Sequence, residues 1–423
     1  MEAKTPIILL KKAFEAAVEA ALPSRVLPGH LPPYPDGRLI VIGAGKAAAS
    51  MAQVVERHYE APLEGVVVTR YGHALATEKI KVIEAGHPVP DKAGQKATKE
   101  LLDSLQGLSR QDLVLFLVSG GGSALLVAPT GITFQEKSKL TQNLLTCGAD
   151  ISEINCVRKH LSLVKGGRLA EAAYPAKIMT LAISDVVGDE PSVIASGPTV
   201  PDPSTYSDAL EILDRYHIVS RGARKHFELG MLGQISDTPK PGAFPENRVA
   251  MKVVATNQTS LEAAAKVFAE AGIEAHILSS NITGEARVAG TEQAAIVRRI
   301  IEKSLPLRAP CVLLSGGETT VTVSHQGRGG PNGEFALALA LGLPQDLPLY
   351  ALIADSDGID GSEKNAGAFL TPALFDVVSR ERALSLLENN SSYEFFDHAK
   401  HLFFTGPTHT NVNDVRIVMI LDS

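Results

Sequence analysis

Short apolar runs alternate with longer segments of helical spacing along most of this chain. Residues 7–22 repeat apolar and charged positions at helical intervals, which predicts an amphipathic helix. A Pro-rich connection follows at 23–37. The apolar runs 39–42 and 113–118 read as buried strands, and 65–69, 81–84 and 177–183 as further strands. Helical patterns occupy 47–58 and 92–106. Gly, Pro, Asp and Asn accumulate around 230–247, the expected domain boundary. The alternation restarts at 248–255. Helices are expected near 259–271, 285–304 and 335–341, and strands at 274–278, 349–354 and 415–421. Strands alternating with helices predict sheets covered on both faces. The expected fold is therefore α/β: two Rossmann-like α/β/α domains with mostly parallel sheets and an interdomain cleft. The expected domains are 1–237 and 238–423, and a length of 423 residues suits two of them.

Two strand ends carry glycine runs. After 113–118 comes Ser119-Gly120-Gly121-Gly122-Ser123, and a helix is expected to resume behind it. Consecutive glycines let backbone N–H groups approach an anion, and a helix N-terminus adds partial positive charge. Ser315-Gly316-Gly317-Glu318 in the second half has the same form, with Glu318 as a further contact. These residues are candidate phosphate-binding positions. Gly43-Ala44-Gly45-Lys46 after the first strand fits the loose dinucleotide fingerprint. The acidic residue expected at the end of the second strand is missing, because Thr69-Arg70 stand there; Arg70 suits a 2′-phosphate instead. A Walker A loop is excluded, because Ile40 and Ala47 occupy its glycine and Ser/Thr positions. What remains is Lys46 on a glycine turn, able to place a point charge on a transferring phosphoryl group.

Further candidates follow the same logic. Arg328 lies in the glycine loop 327–330, which reads as mobile, and a guanidinium forks over phosphate or carboxylate. Asp185 and Asp189 follow one strand, and Asp355, Asp357 and Asp360 another. Hard carboxylate oxygens at strand ends suit Mg2+, with Asp189 and Asp355 as the chosen ligands. His73 and His87 read as loop residues.

Composition narrows the field. A net charge of -7 and the absence of Trp argue against nucleic acid as a partner. No apolar run reaches the ~18 residues of a membrane span. Three cysteines without a CxxC pair fit a reducing cytoplasm rather than a disulfide frame or zinc knuckle.

Taken in order, these stretches resemble the glycerate kinases whose C-terminal half carries the MOFRL signature. The resemblance runs through Val41–Ala47, Val67–His73, Ala85–Asp91, Leu117–Leu125, Lys165–Leu169, Ser184–Asp189 and Ala195–Thr199. It continues through Leu314–Thr319, Gly327–Asn332, Asp355–Gly361, Thr405–Thr408 and Thr410–Asp414. It implies phosphorylation of D-glycerate at its 2-hydroxyl with ATP and Mg2+; a cytoplasmic monomer or homodimer is the separate expectation. It also implies that Lys46 is the catalytic lysine and Arg328 its partner. Two positions depart from the pattern: Gly333 where Gln is expected and His409 where Gly is expected. An NADPH-linked hydroxypyruvate reductase is the alternative reading, resting on Gly43 and Arg70.

Overall fold

The computed structural model describes residues 4–245, 247–344 and 348–422 and divides into two compact units. One runs from Val26 to Val254. The other joins the described residues up to Arg25 to the chain from Ala255 onward. The division thus falls at 254/255, where 237/238 was expected, and the first helix belongs with the C-terminal half. The cause is packing. The helix Lys4–Ala20 buries Leu10, Ala13, Phe14 and Ala17 in one core with Leu261, Phe268, Leu352 and Ile417. The Phe14 ring meets Phe403 edge-on, with centroids 5.2 Å apart. Helical spacing reveals an apolar face; it does not say which half of the chain covers it.

The Val26–Val254 unit is built on six strands: β1 (Leu39–Ala44), β2 (Leu63–Arg70), β3 (Ile80–Ala85), β4 (Leu113–Val118), β5 (Lys177–Ile183) and β6 (Val249–Ala255). Their order is β3-β2-β1-β4-β5-β6. The pairs β3–β2, β2–β1, β1–β4 and β4–β5 are all parallel. Both β1 and β4 are buried along their whole length, as their unbroken apolar runs require. β6 closes the edge of this sheet, although its run was expected to open the next domain. The strand order reverses between β1 and β4. Ligands of open α/β sheets bind beyond the carboxyl ends of the strands at such a reversal. Ala44 is in register with Val118, so the turns after β1 and β4 start side by side there.

The other unit is also α/β, on β7 (Glu274–Ile282), β8 (Cys311–Gly317), β9 (Leu349–Asp355), β10 (Gly367–Leu370), β11 (Leu402–Phe403) and β12 (Asp414–Ile420). Its order is β11-β10-β9-β12-β8-β7. β7 and β8 are parallel, but β12 enters between β8 and β9 antiparallel to both. β10 runs antiparallel to β9 and β11. Strand direction here is mixed inside the expected fold class, because the last strand returns into the middle of the sheet. No helix among the described residues is long and apolar enough to cross a membrane.

The placement of the first helix is directly testable. Phe14→Ala should lower stability by about 3–5 kcal/mol, the cost of truncating a buried Phe. The lowered urea midpoint should be that of the unit containing β7–β12. An unchanged midpoint would show that the helix is not part of that core.

Candidate functional site

The turns after β1 and β4 interlock. Lys46 N donates to Gly120 O at 2.8 Å, and Ala47 N donates to the buried Ser119 Oγ at 2.9 Å. Ser119 N returns a bond to Ala44 O at 3.1 Å. Gly45 holds φ at +141°, and a Cβ there would overlap the Ser119 side chain and carbonyl. Gly43 lies inside β1, in register with Val67 and Leu117, rather than in the turn. The sequence places a helix behind Gly122, but only one turn forms, Gly122–Leu125. A helix macrodipole needs more peptide units than that. The attraction for an anion must therefore come from individual amides and nearby cations. The amides of Gly120, Gly121 and Ser123 donate to no other group among the described residues. They form the open part of the cradle.

Behind Ser123 lies a cluster that sequence reading missed. Ser123 Oγ is 2.9 Å from Ser196 Oγ, and Ser196 Oγ donates to Asn155 Oδ1 at 3.0 Å. The Ser123 carbonyl accepts from Lys165 Nζ at 2.9 Å and Arg158 Nη2 at 3.4 Å. Asn155 and Arg158 lie on the helix Ile151–His160. That helix is fixed at its C-terminal end by His160, whose Nε2 is 3.0 Å from Asp237 Oδ1 and whose Nδ1 is 2.8 Å from Cys156 O. Burial opposes the imidazolium, but the Asp237 and Cys156 hydrogen bonds outweigh it and hold His160 up at about 9. Burial likewise opposes the Asp237 carboxylate, yet His160 holds it down at about 2.

In the other unit the glycine run takes a different form. Ser315, Gly316 and Gly317 do not leave the strand: they end β8, in register with Arg416, Val415 and Asp414 of β12. A Cβ at Gly316 would overlap Asn257, and one at Gly317 would overlap the backbone of Ile282. Ser315 Oγ is spent on Gln293 Oε1 at 3.2 Å. These glycines therefore relieve crowding inside a sheet, and the expected second phosphate turn does not form. Of that run only Glu318 is exposed.

Arg328 is held rather than mobile. Nη2 lies 2.6 Å from Glu363 Oε2 and Nε lies 3.3 Å from Oε1, a two-pronged pair. The guanidinium sits 4.5 Å over the Tyr393 ring, and Tyr393 N donates to Arg328 O at 3.0 Å. Glu363 raises the Arg328 pKa further. The helix Pro331–Leu341 begins beside this loop, and Asp360 accepts from the amides of Asn332 and Gly333 at 2.9 and 2.8 Å. Gly333 thus keeps an ordered helix start through its amide. Burial pushes the Asp360 carboxyl up to about 7 against those two bonds. Asn332 Nδ2 donates to Asp414 Oδ1 at 2.6 Å, and Asp414 pairs with the fully buried Arg416. His409 occupies the left-handed region at φ +61°, where glycine was expected, and its burial lowers its pKa.

Asp355 and Asp189, the carboxylates chosen for a metal, lie in different units of the chain. Asp355 ends β9, and its Oδ1 accepts from Asp357 N at 2.8 Å. Asp189 lies in a turn at φ +55°, with its amide on Val186 O. Among the described residues no group of three or more His, Cys, Asp or Glu side chains is arranged to hold a metal ion.

Residues 9–228 match the family described as Domain of unknown function (DUF4147), and residues 311–414 match the MOFRL family. A glycerate 2-kinase of Pyrococcus horikoshii is 41% identical over 91% of this chain and 88% of its own. The chain belongs to the MOFRL-containing glycerate kinase family. A crystal structure of glycerate kinase from Thermotoga maritima superimposes with a TM-score of 0.88 at 38% identity, covering 99% of this chain and 100% of that one. A relative in Agrobacterium vitis, 46% identical over 97% of this chain and 94% of its own, bears the provisional name of hydroxypyruvate reductase. For this member of the glycerate kinase family, the sequence signal for Lys165 is the Lys165–Leu169 stretch. Lys137 and Arg158 carried none, because ordinary helical spacing surrounds them.

The His160–Asp237 pair gives a pH signature. His160 is raised above its ordinary value, so its contribution is complete below about 6.5 and fades as pH rises through 9. Asp237→Asn should cost about 1.5–3 kcal/mol near pH 6, the worth of a charge-assisted hydrogen bond, and much less near pH 10. Chemical denaturation at both pH values checks this; an equal loss at both would exclude the charged pair.

Proposed function

We propose that this chain is an ATP-dependent glycerate 2-kinase, transferring the γ-phosphoryl group of ATP to the 2-hydroxyl of D-glycerate and yielding 2-phosphoglycerate and ADP. Kinship with glycerate 2-kinases over nearly the whole length supports the reaction. The observation that supports the reading is the interlock that ties the Lys46 backbone to the turn whose Gly120, Gly121 and Ser123 amides stay open, at the β1–β4 reversal.

In the reaction the substrate's hydroxyl oxygen forms a bond to the γ-phosphorus. The bond to the bridging oxygen breaks, ADP leaves with that electron pair, and the hydroxyl proton is released. Such transfer needs positioning and charge neutralisation more than covalent help from the protein. The amides hold phosphate oxygens, and Lys46 places its positive charge beside them. Arg328 serves as the second cation on the transferring group, pre-oriented by Glu363 and Tyr393. Mg2+ commonly binds through substrate phosphates and one or two carboxylates, so a three-carboxylate cage is not required. Asp189 and Asp355, each partly exposed, are the carboxylates proposed to meet it. When bound, it would neutralise phosphate charge. The free cysteines suit a reducing cytoplasm, the setting proposed here, for a monomer or homodimer.

The reductase reading keeps one supporting observation, the name of the Agrobacterium vitis relative. Arg70, at the end of β2, is the residue it would use. The two readings separate in one assay series. Purified protein should release ADP only with D-glycerate present, and NMR of the product should place phosphate on C2. Oxidation of NADPH with hydroxypyruvate, without ADP release, would reverse the assignment. Lys46→Ala and Arg328→Ala should each lower kcat by about 10²–10³, the typical loss of one preorganised charge-stabilising group, with unchanged urea midpoints. Near-native turnover in either variant would remove that residue's role.

A further inference from the structure

A cavity of about 390 Å³ opens beside Ser123. Val89, Leu126, Phe134 and Leu145 form much of its apolar wall. Lys137, Arg158 and Lys165 also line it, and among the described residues no Asp or Glu side chain does. The three cations come from separate parts of the chain: the helix Phe134–Thr146, the helix Ile151–His160 and the segment after it. Among the described residues their hydrogen-bond partners are neutral carbonyls. Lys165 and Arg158 donate to Ser123 O, and Lys137 Nζ donates to Leu161 O at 2.6 Å.

This arrangement is electrostatically costly. Lys165 is 1% exposed, and carbonyl dipoles do not cancel full charges. Burial, with Arg158 beside it, pushes Lys137 down to about 7; burial with Arg158 and Lys137 pushes Lys165 well below the ordinary lysine range. Replacing any of them by an apolar residue would remove that strain, so the fold does not need three like charges here. An anionic ligand would supply the missing countercharge.

Position identifies the ligand. Ser123 belongs to both features: its amide faces the open part of the phosphate cradle and its carbonyl holds the cations. An anion seated on Lys165 and Arg158 therefore lies one residue from the place proposed for the transferring phosphoryl group. A 2-hydroxy acid anchored there by its carboxylate presents the neighbouring hydroxyl on the side of that group, with its carbon skeleton along the apolar wall. We propose that Lys137, Arg158 and Lys165 form the subsite that binds the carboxylate of the acceptor, a short 2-hydroxy acid. The proposal rests on the kinase reading above and assigns one half of its substrate recognition. The cavity exceeds what a three-carbon acid fills, so 2-hydroxy acids with longer apolar tails also fit.

Lys137→Met and Lys165→Met in the full-length protein test it. Each should raise KM for D-glycerate at least about tenfold, the equivalent of 1.4 kcal/mol, while KM for ATP changes less than twofold. Neither should lower the thermal midpoint, because each removes a cation that meets only a neutral carbonyl. If wild-type protein releases ADP with D-glycerate and both variants keep its KM, the subsite is wrong and the kinase reading stands. A rise in KM for ATP instead overturns the assignment in favour of nucleotide. Calorimetry on the wild-type protein is independent of how the variants fold. D-glycerate should bind without ATP, and glycerol, which lacks the carboxylate, should not; equal binding of the two overturns the proposal. If the wild-type protein releases no ADP, the kinase reading has failed, and this calorimetric comparison alone decides whether the pocket selects a carboxylate.

Discussion

Gly45 and Ser119 approach so closely that no side-chain carbon fits between them. The rest of the candidate site in the Val26–Val254 unit depends on that approach. It joins the turn after β1 to the turn after β4 through three hydrogen bonds at 2.8, 2.9 and 3.1 Å. Lys46 is thereby anchored by its own backbone to the glycine run of another strand. A lysine on an isolated turn would have no fixed relation to a phosphate. One tied to Gly120 O has its Cα set relative to the amides that follow. The parallel register of Ala44 with Val118 brings the two turns level, and the reversal of strand order keeps the space beyond them clear of a crossover helix.

Charge is handled differently in the two units. Around Ser123 three cations meet neutral carbonyls in an apolar pocket. Around the start of the helix Pro331–Leu341 the charges are partnered: Asp360 has two amides, Asp414 has Asn332 and Arg416, and Arg328 has Glu363. A buried network whose members are satisfied fixes one conformation. A buried set of like charges instead creates demand for a countercharge. The first kind of site organises its own unit; the second is suited to hold a small anion.

Much of this was legible in the sequence, and the failures have physical causes. Unbroken apolar runs marked β1 and β4 because strands buried on both faces leave no polar alternation. The run Ser119–Ser123 read correctly as an open turn. Ser315–Gly317 has nearly the same composition and is strand, because Asn257 and Ile282 press on it from elsewhere in the chain. Glycine records that space is short; it does not record whether a neighbour or a ligand takes the space. The helix Lys4–Ala20 was visible, but its packing partner lies far along the chain. Lys137 and Arg158 were invisible for the same reason, since their meaning arises only where two helices bring them to one carbonyl and its neighbourhood. β10 and β11 were missed because such short strands carry too few residues for a periodic signal.

We expect the bare amides in the turn joined to Lys46 to receive the phosphates of the nucleotide. Amide NMR of the isotopically labelled full chain, titrated with ADP, measures this most directly. The resonances of Gly120, Gly121 and Ser123 should shift and gain protection from solvent exchange, while Gly316 and Gly317, committed to β12, should not respond. Saturating ADP that leaves Gly120, Gly121 and Ser123 unchanged would contradict the account.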